Sequence, residues 1–160
     1  MPQTPHLYLF TLEVAPLEIG MTYNPLPSHL TLVSRFFSDK PPNHIINKVS
    51  ALFNLAECIE LVFEDLSTIG PKHTEVHVIK LNKSLEELHT QITDSLVDIG
   101  VSYTHPEYIK EGWKPHISKR DNDNYVPGYS FLTHAAYLIE VHIQDGNYLR
   151  TIREKFNLLR

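Results

Sequence analysis

Apolar residues at three- and four-residue intervals mark two amphipathic helices in this chain. After Pro41-Pro42 the apolar positions are Ile45, Ile46, Val49, Leu52, Phe53 and Ala56. A second face is lined by Leu85, Leu88, Ile92, Leu96 and Ile99, and Gly100 follows as an expected stop. Ser84, with Glu87 three residues later, predicts a capping box at the start of this second helix.

Runs of β-branched, aromatic and alternating apolar residues predict the strands. They cover residues 7–14, 29–36, 59–66 and 75–81, with the turn-like pair Gly70-Pro71 between the last two. The long apolar run over residues 129–143 predicts either one bent strand or two short ones. Residues 147–158 are expected to form a final helix.

Composition limits the number of domains, the cellular location and the partners of the chain. At 160 residues, 42% hydrophobic and 21% charged, the sequence predicts a single domain spanning residues 1–160. Cys58 is the only cysteine, which favours a reducing compartment and hence the cytoplasm, and no targeting or membrane-spanning stretch is evident. A net charge of −5 argues against long duplex nucleic acid as a partner. We expect a monomer, away from membranes, that binds a small nucleotide or the phosphate at an RNA end.

Two short motifs repeat between the halves of the chain. His29-Leu30-Thr31 and His116-Ile117-Ser118 each place a histidine two residues before a hydroxyl, within an apolar, strand-like segment. Residues i and i+2 of a strand project from the same face, so each strand offers an imidazole and a hydroxyl together. The histidines are 116 − 29 = 87 residues apart, which suggests an internal duplication with one motif in each of two lobes.

If the two lobes bring these faces together, one site receives two imidazoles and two hydroxyls. One histidine can then remove a proton while the other donates one. This set of groups is sufficient for phosphoryl transfer without a metal ion.

The sequence resembles the 2H phosphoesterase superfamily, with "HLTL" at 29–32 and "HIS" at 116–118 as the two family motifs. The group includes bacterial RNA 2′,5′-ligase-like proteins and cyclic phosphodiesterases. The resemblance implies an α+β fold of two pseudo-symmetric lobes, with mostly antiparallel sheets around a central cleft and the helices outside. It also implies that His29, Thr31, His116 and Ser118 are catalytic.

The function expected from motif and resemblance together is that of a metal-independent phosphodiesterase without a cofactor. Its substrates would contain a 2′,3′-cyclic phosphate or a 2′-5′ linkage, and the reverse reaction would be ligation. The alternative is a module of the same fold that binds a nucleotide or RNA end without turning it over.

Several residues near the motifs are candidates for substrate binding. Lys119 and Arg120 adjoin the second motif and are the preferred phosphate ligands, ahead of Arg35, Lys72 and Lys114. Trp113 and Tyr8 are candidates for stacking on a base.

A different kind of site is suggested by His73, Glu75 and His77, which alternate along one segment like a pair of metal ligands with a carboxylate between them. Two histidines without a further nearby ligand are a weak metal signal, and a solvated sheet face explains the pattern better. No metal site is therefore predicted.

Overall fold

The computed structural model describes residues 4–120 and 125–160. The helices there are α1 (Pro42–Leu55) and α2 (Lys83–Asp98). The strands are β1 (His6–Glu13), β2 (Thr22–Tyr23), β3 (His29–Ser38), β4 (Ile59–Ile69), β5 (Thr74–Ile79), β6 (Ser102–Tyr103), β7 (His116–Ser118), β8 (Ser130–Thr133), β9 (Ala135–Gln144) and β10 (Asn147–Asn157). Two 3₁₀ turns, Pro106–Tyr108 and Lys110–Gly112, precede β7.

The strands form one curled antiparallel sheet in the order β2-β10-β9-β1-β3-β7-β5-β4-β8, with β6 added beside β3. One half of this order contains β3 and the other contains β7, and the two halves join where these strands meet. Both helices bury their apolar faces in the larger core cluster, against one face of the sheet. The expected α+β fold, with mostly antiparallel strands and the helices outside, is confirmed, and the sheets of the two expected lobes are the two halves of one curled sheet.

Both predicted helices are present and bury the predicted apolar faces, but the N-cap of α2 differs from the prediction. In α1 the buried positions are Ile45, Val49 and Phe53, and Pro42 occupies the first turn, where its missing N–H costs least. The N-cap of α2 is Asn82, whose side chain accepts from the Leu85 N–H at 2.9 Å, so the predicted box of Ser84 and Glu87 is wrong. Gly100 follows the helix with φ +77°, as expected of a glycine at a helix end.

The predicted C-terminal helix is wrong, because residues Asn147–Asn157 form β10, which pairs with β9. Tyr148, Ile152 and Phe156 recur every four residues, a spacing that also fits a strand because four is a multiple of two. The overlooked signal is Asp145-Gly146, a two-residue turn in which both residues have positive φ, 51° and 78°. This turn closes a hairpin and leaves no room for a helix.

The apolar run over residues 129–143 forms two strands rather than one bent strand. β8 pairs with β4, whereas β9 pairs with β1 and β10, so the chain crosses from one half of the sheet to the other at His134. In the described ranges, neither helix is long and apolar enough to cross a bilayer.

Candidate active site

The two motif strands meet directly, and their register sets the geometry of the site. β3 and β7 are antiparallel, with Leu30 paired to Ile117, the middle residues of the two motifs. This register places His29 across from Ser118 and Thr31 across from His116. Leu30 and Ile117 are fully buried on one face, so the four motif side chains share the other face, at the junction of the two halves.

Both histidine rings are oriented in the same way by the backbone. The Nδ1 atoms of His29 and His116 lie 2.8 Å from the carbonyl oxygens of Pro27 and Lys114, respectively, each two residues earlier. Because a carbonyl only accepts, each Nδ1 carries the proton and donates it. Nε2 is therefore left as the nitrogen that each ring presents to a ligand.

His29 is held neutral by its surroundings. Burial lowers its pKa to about 4, and the neighbouring Arg120, Arg150 and His116 act in the same direction, against the Pro27 carbonyl. At neutral pH the Nε2 atom of His29 therefore has a free lone pair and is ready to accept a proton.

The four motif residues line one cleft of about 370 Å³. Leu9, Pro25, Leu26, Ser34, Arg35, Arg120 and Arg150 complete its lining. Among the described residues, no carboxylate lines this cleft, although the whole chain carries a net charge of −5. The cleft is thus suited to an anion.

The two basic residues after the second motif point in different directions. Arg120 lines the cleft and donates to the Leu26 carbonyl at 2.7 Å. Lys119 lies on the other side of the strand, where its ammonium is 3.3 Å from the Glu75 carboxylate. The strand alternation that places His116 and Ser118 in the cleft also explains this difference, and Lys119 is not part of the cleft lining.

The two aromatic candidates do not line this cleft. Tyr8 is fully buried and its hydroxyl donates to the Lys40 carbonyl at 2.8 Å, so its prediction as a base-stacking residue is wrong. As a residue of β1, Tyr8 belongs to the apolar core. Trp113 is also buried, where it stacks on His89 with ring centroids 4.1 Å apart and donates to the Thr31 carbonyl at 3.3 Å.

A second hollow of about 420 Å³ adjoins the cleft, and His116 lines both. Val76, Val78, Pro115 and Trp113 contribute to its wall. Because Val76 and Val78 pair with Ser118 and His116, the apolar hollow continues the face that carries the motifs. Of the two spaces, this hollow is the one in which a ligand would contact Trp113.

His73, Glu75 and His77 do not converge on one point. His77 is buried with its ring edge-on to Phe63 at 5.4 Å, whereas Glu75 pairs with Lys119 on the surface and His73 lies in a turn. Within residues 4–120 and 125–160, no cluster of three or more histidine, cysteine, aspartate or glutamate side chains is placed to hold a metal ion.

Two polar residues of the cleft, Ser34 and Arg150, are not identified by the sequence patterns. The sequence predicts a helix over Arg150, and no pattern distinguishes Ser34 from other serines. Arg35 is a candidate phosphate ligand from the sequence, but Lys119 and Arg120 are preferred to it. The alternation of Tyr148, Arg150 and Ile152 along β10 is the signal that identifies Arg150, once the preceding turn is recognised.

Solved structures of other proteins share this fold. A protein described as a phosphoesterase superposes with a TM-score of 0.64 at 17% identity, covering 98% of this chain and 100% of its own. E. coli LigT complexed with 3′-AMP gives 0.63 at 15% identity, with coverage of 98% and 100%. TT0787 of Thermus thermophilus gives 0.58 at 16% identity, with coverage of 95% and 97%.

No protein-family model matches the sequence, and no curated protein matches it significantly. The structural similarity nevertheless confirms the fold that the resemblance to the 2H phosphoesterase superfamily implied. At these identities it establishes the shared fold.

Proposed function

We propose that this protein is a metal-independent phosphodiesterase acting on nucleotides or RNA ends with a 2′,3′-cyclic phosphate or a 2′-5′ linkage. The observation that carries the proposal is the pairing of Leu30 with Ile117, which brings two imidazoles and two hydroxyls to one face of one cationic cleft. LigT, which shares the fold, has been solved with 3′-AMP, a nucleoside phosphate.

The histidines divide the proton transfers according to their surroundings. His29, whose low pKa keeps Nε2 unprotonated, accepts a proton from the attacking water as the new P–O bond forms. The protonated ring of His116 donates its Nε2 proton to the ribose oxygen as the old P–O bond breaks. Water is consumed, a phosphomonoester and a free hydroxyl are produced, and proton exchange with solvent restores both rings.

Thr31, Ser118 and Arg120 stabilise the phosphate during this step. Their donors face the non-bridging oxygens, whose negative charge must be balanced as the bond to water forms. Hydrogen bonds from charged or polar donors to such an oxygen are stronger than hydrogen bonds between neutral groups. No Lewis acid is required for the reaction written in this way.

The apolar hollow next to His116 provides a place for the nucleoside. A phosphate bound between the two histidines lies at the boundary between the cationic cleft and the wall formed by Val76, Val78 and Trp113. A ribose and base attached to that phosphate bury apolar surface against this wall.

Turnover of defined substrates tests the proposal. Nucleoside 2′,3′-cyclic phosphates and 2′-5′ linked dinucleotides are offered to the wild type, to His29→Ala and to His116→Ala, with and without EDTA. We expect turnover that survives EDTA and falls by about 10² to 10⁴ in either variant. His44→Ala, at an exposed position of α1, is the matched control and should retain the wild-type rate.

Two results would contradict the proposal. Binding of these nucleotides without turnover would identify a binding module instead of an enzyme. Loss of turnover in EDTA, restored by zinc or manganese, would show that a metal ion performs the chemistry assigned to the histidines.

A further inference from the structure

The cleft contains more positive charge than one reacting phosphodiester requires. Arg120 lies beside the motifs, but Arg35 and Arg150 also line the cleft, from strands β3 and β10. In the part of the chain that the structure describes, neither Arg35 nor Arg150 forms an ion pair with a carboxylate. Two guanidinium groups without a nearby carboxylate form an unbalanced cationic pair.

Two β-bulges in β3 direct Arg35 into the cleft. The register with β1 shifts between Thr31 and Val33 and again between Val33 and Phe36, so that Ser34 and Arg35 both lie opposite Leu9 on the cleft side. A regular strand would turn one of these two residues away. The Arg35 carbonyl also accepts from the backbone N–H and the hydroxyl of Thr104, each at 3.0 Å, which fixes the backbone there.

Tyr148 of β10 holds both guanidinium groups. The Arg35 guanidinium lies over the Tyr148 ring, 5.3 Å from its centroid, and the Arg150 guanidinium donates to the Tyr148 carbonyl at 3.2 Å. Burial, with the charges of Arg35 and Arg120, lowers the pKa of Arg150 below its ordinary value. The fold thus keeps the two like charges close together at an energetic cost that a bound anion would offset.

Ser34 provides an independent sign of a ligand. Its hydroxyl is buried, lines the cleft and has no hydrogen-bond partner in the structure. Buried hydroxyls without a partner are uncommon, since the lost hydrogen bonds to water are not replaced. A phosphate oxygen between Ser34 and the two arginines would accept from both guanidinium groups, and rotation about χ1 of Ser34 would turn its hydroxyl toward the same oxygen.

This group lies away from the position of the reacting phosphate. Ser34 is three residues beyond Thr31 on the same strand, about 9 Å along it. A phosphate bound by His29 and His116 is therefore too far from Ser34 to contact it, and a second phosphate is needed to fill the space beside Ser34 and Arg35.

We infer that Arg35, Arg150 and Ser34 form a second phosphate subsite, and that the substrate is a nucleotide carrying a further phosphate group beside the reacting phosphodiester. This inference rests on the proposed function and narrows its substrate class. A 5′-phosphorylated nucleoside 2′,3′-cyclic phosphate has the required chemistry.

Equilibrium binding of two product-like ligands tests the subsite without relying on turnover. Adenosine 3′,5′-bisphosphate and adenosine 3′-phosphate are titrated into the protein by calorimetry. We expect the bisphosphate to bind about 10- to 100-fold more tightly, because its second phosphate gains charged hydrogen bonds. Arg150→Met and Arg35→Met should abolish this preference, because they weaken binding of the bisphosphate more than binding of the monophosphate, and Ser34→Ala should reduce the preference.

Lys83→Met is the control for the loss of one positive charge, since Lys83 is exposed at the start of α2, and it should keep the full preference. Equal affinity of the wild type for both ligands would overturn the inference. An equal loss of affinity for both ligands in Arg150→Met would also overturn the inference. Arg150 would then bind the phosphate that the two ligands have in common. Circular dichroism of each variant verifies that it is folded.

Turnover of adenosine 2′,3′-cyclic phosphate with and without a 5′-phosphate separates this inference from the proposed function. A higher kcat/KM for the 5′-phosphorylated substrate supports both, and an equal kcat/KM supports catalysis but contradicts the subsite. A binding preference for the bisphosphate without turnover of either cyclic phosphate supports the subsite and contradicts the enzymatic proposal.

Discussion

His29 and His116 present the same ring nitrogen to the cleft, because each Nδ1 donates to the carbonyl two residues earlier. Their surroundings nevertheless differ. His29 lies within the electrostatic influence of Arg120 and Arg150 and is the more deeply placed ring, which lowers its pKa to about 4. In the proposed mechanism this difference makes His29 the proton acceptor and His116 the proton donor.

The low pKa of His29 makes folding stability depend on pH. In the unfolded chain His29 titrates near 6.5, whereas in the folded protein it titrates near 4. Between these values the unfolded state binds more protons, so stability falls as pH decreases through this window. We expect this residue to contribute a loss of about 2 kcal/mol between pH 7 and pH 5.

Urea denaturation of the wild type and of His29→Gln at both pH values measures this contribution. Subtracting the two pH dependences removes the effects of the other histidines, which the variant retains. Identical pH dependence of the two proteins would show that the pKa of His29 is not lowered by folding.

At the scale of elements, β3 contributes more residues to the cleft than any other described strand, and its irregular path is supported from one side. On one edge, β3 pairs with β7 at Leu30 and with β6 at Phe36. Between these two pairings, side chains instead of a neighbouring strand donate to the β3 carbonyls. Trp113 donates to the Thr31 carbonyl, and His89 Nδ1 donates to the Leu32 carbonyl at 2.7 Å. These contacts hold Thr31 where the first bulge begins.

Replacing Trp113 with phenylalanine tests this support. The change keeps a ring against His89 but leaves the Thr31 carbonyl without its donor, so we expect a loss of about 1 to 3 kcal/mol in the free energy of unfolding. Because Thr31 belongs to the site, kcat should fall as well. Tyr103→Phe, which removes a donor to the Thr93 carbonyl away from the motifs, is the control.

Tyr103→Phe should reduce stability by a similar amount and leave kcat unchanged. Unchanged kcat in Trp113→Phe, with the same stability loss, would restrict Trp113 to a structural role. Denaturation curves and initial rates of the two variants provide both readouts.

The elements that sequence predicted correctly are those in which local pattern and tertiary environment agree. The apolar faces of α1 and α2 have a helical period that no strand shares, and the His-x-Thr spacing places both side chains on one face of any strand. The spacing of Tyr148, Ile152 and Phe156 fits a helix and a strand equally, so the local pattern predicts a helix where the structure has β10. The prediction that Tyr8 stacks on a base was wrong for another reason. The sequence shows an aromatic ring with a hydroxyl, but it does not show whether that ring stacks on a ligand or lies in the core.

At the scale of the whole molecule, the site exists only because two distant parts of the chain pair. Leu30 and Ile117 are 87 residues apart, and the sheet halves meet at their pairing. The repeated motif suggested that two lobes meet, but strand order depends on contacts between distant residues, which periodicity does not record. The bulges of β3 and the position of Arg150 follow from that order, and this is why the sequence alone does not place Arg150 in the cleft.

The central claim is that His29 and His116 act on one phosphate, and nuclear magnetic resonance of the ring signals tests it most directly. Inorganic phosphate is titrated into the protein while the carbon-bound ring protons of all histidines are followed, with assignments from His29→Gln and His116→Gln. We expect the signals of His29 and His116 to shift together with a single dissociation constant, and those of exposed His44 to remain unchanged. A response from only one of the two rings, or different dissociation constants for the two, would contradict the claim.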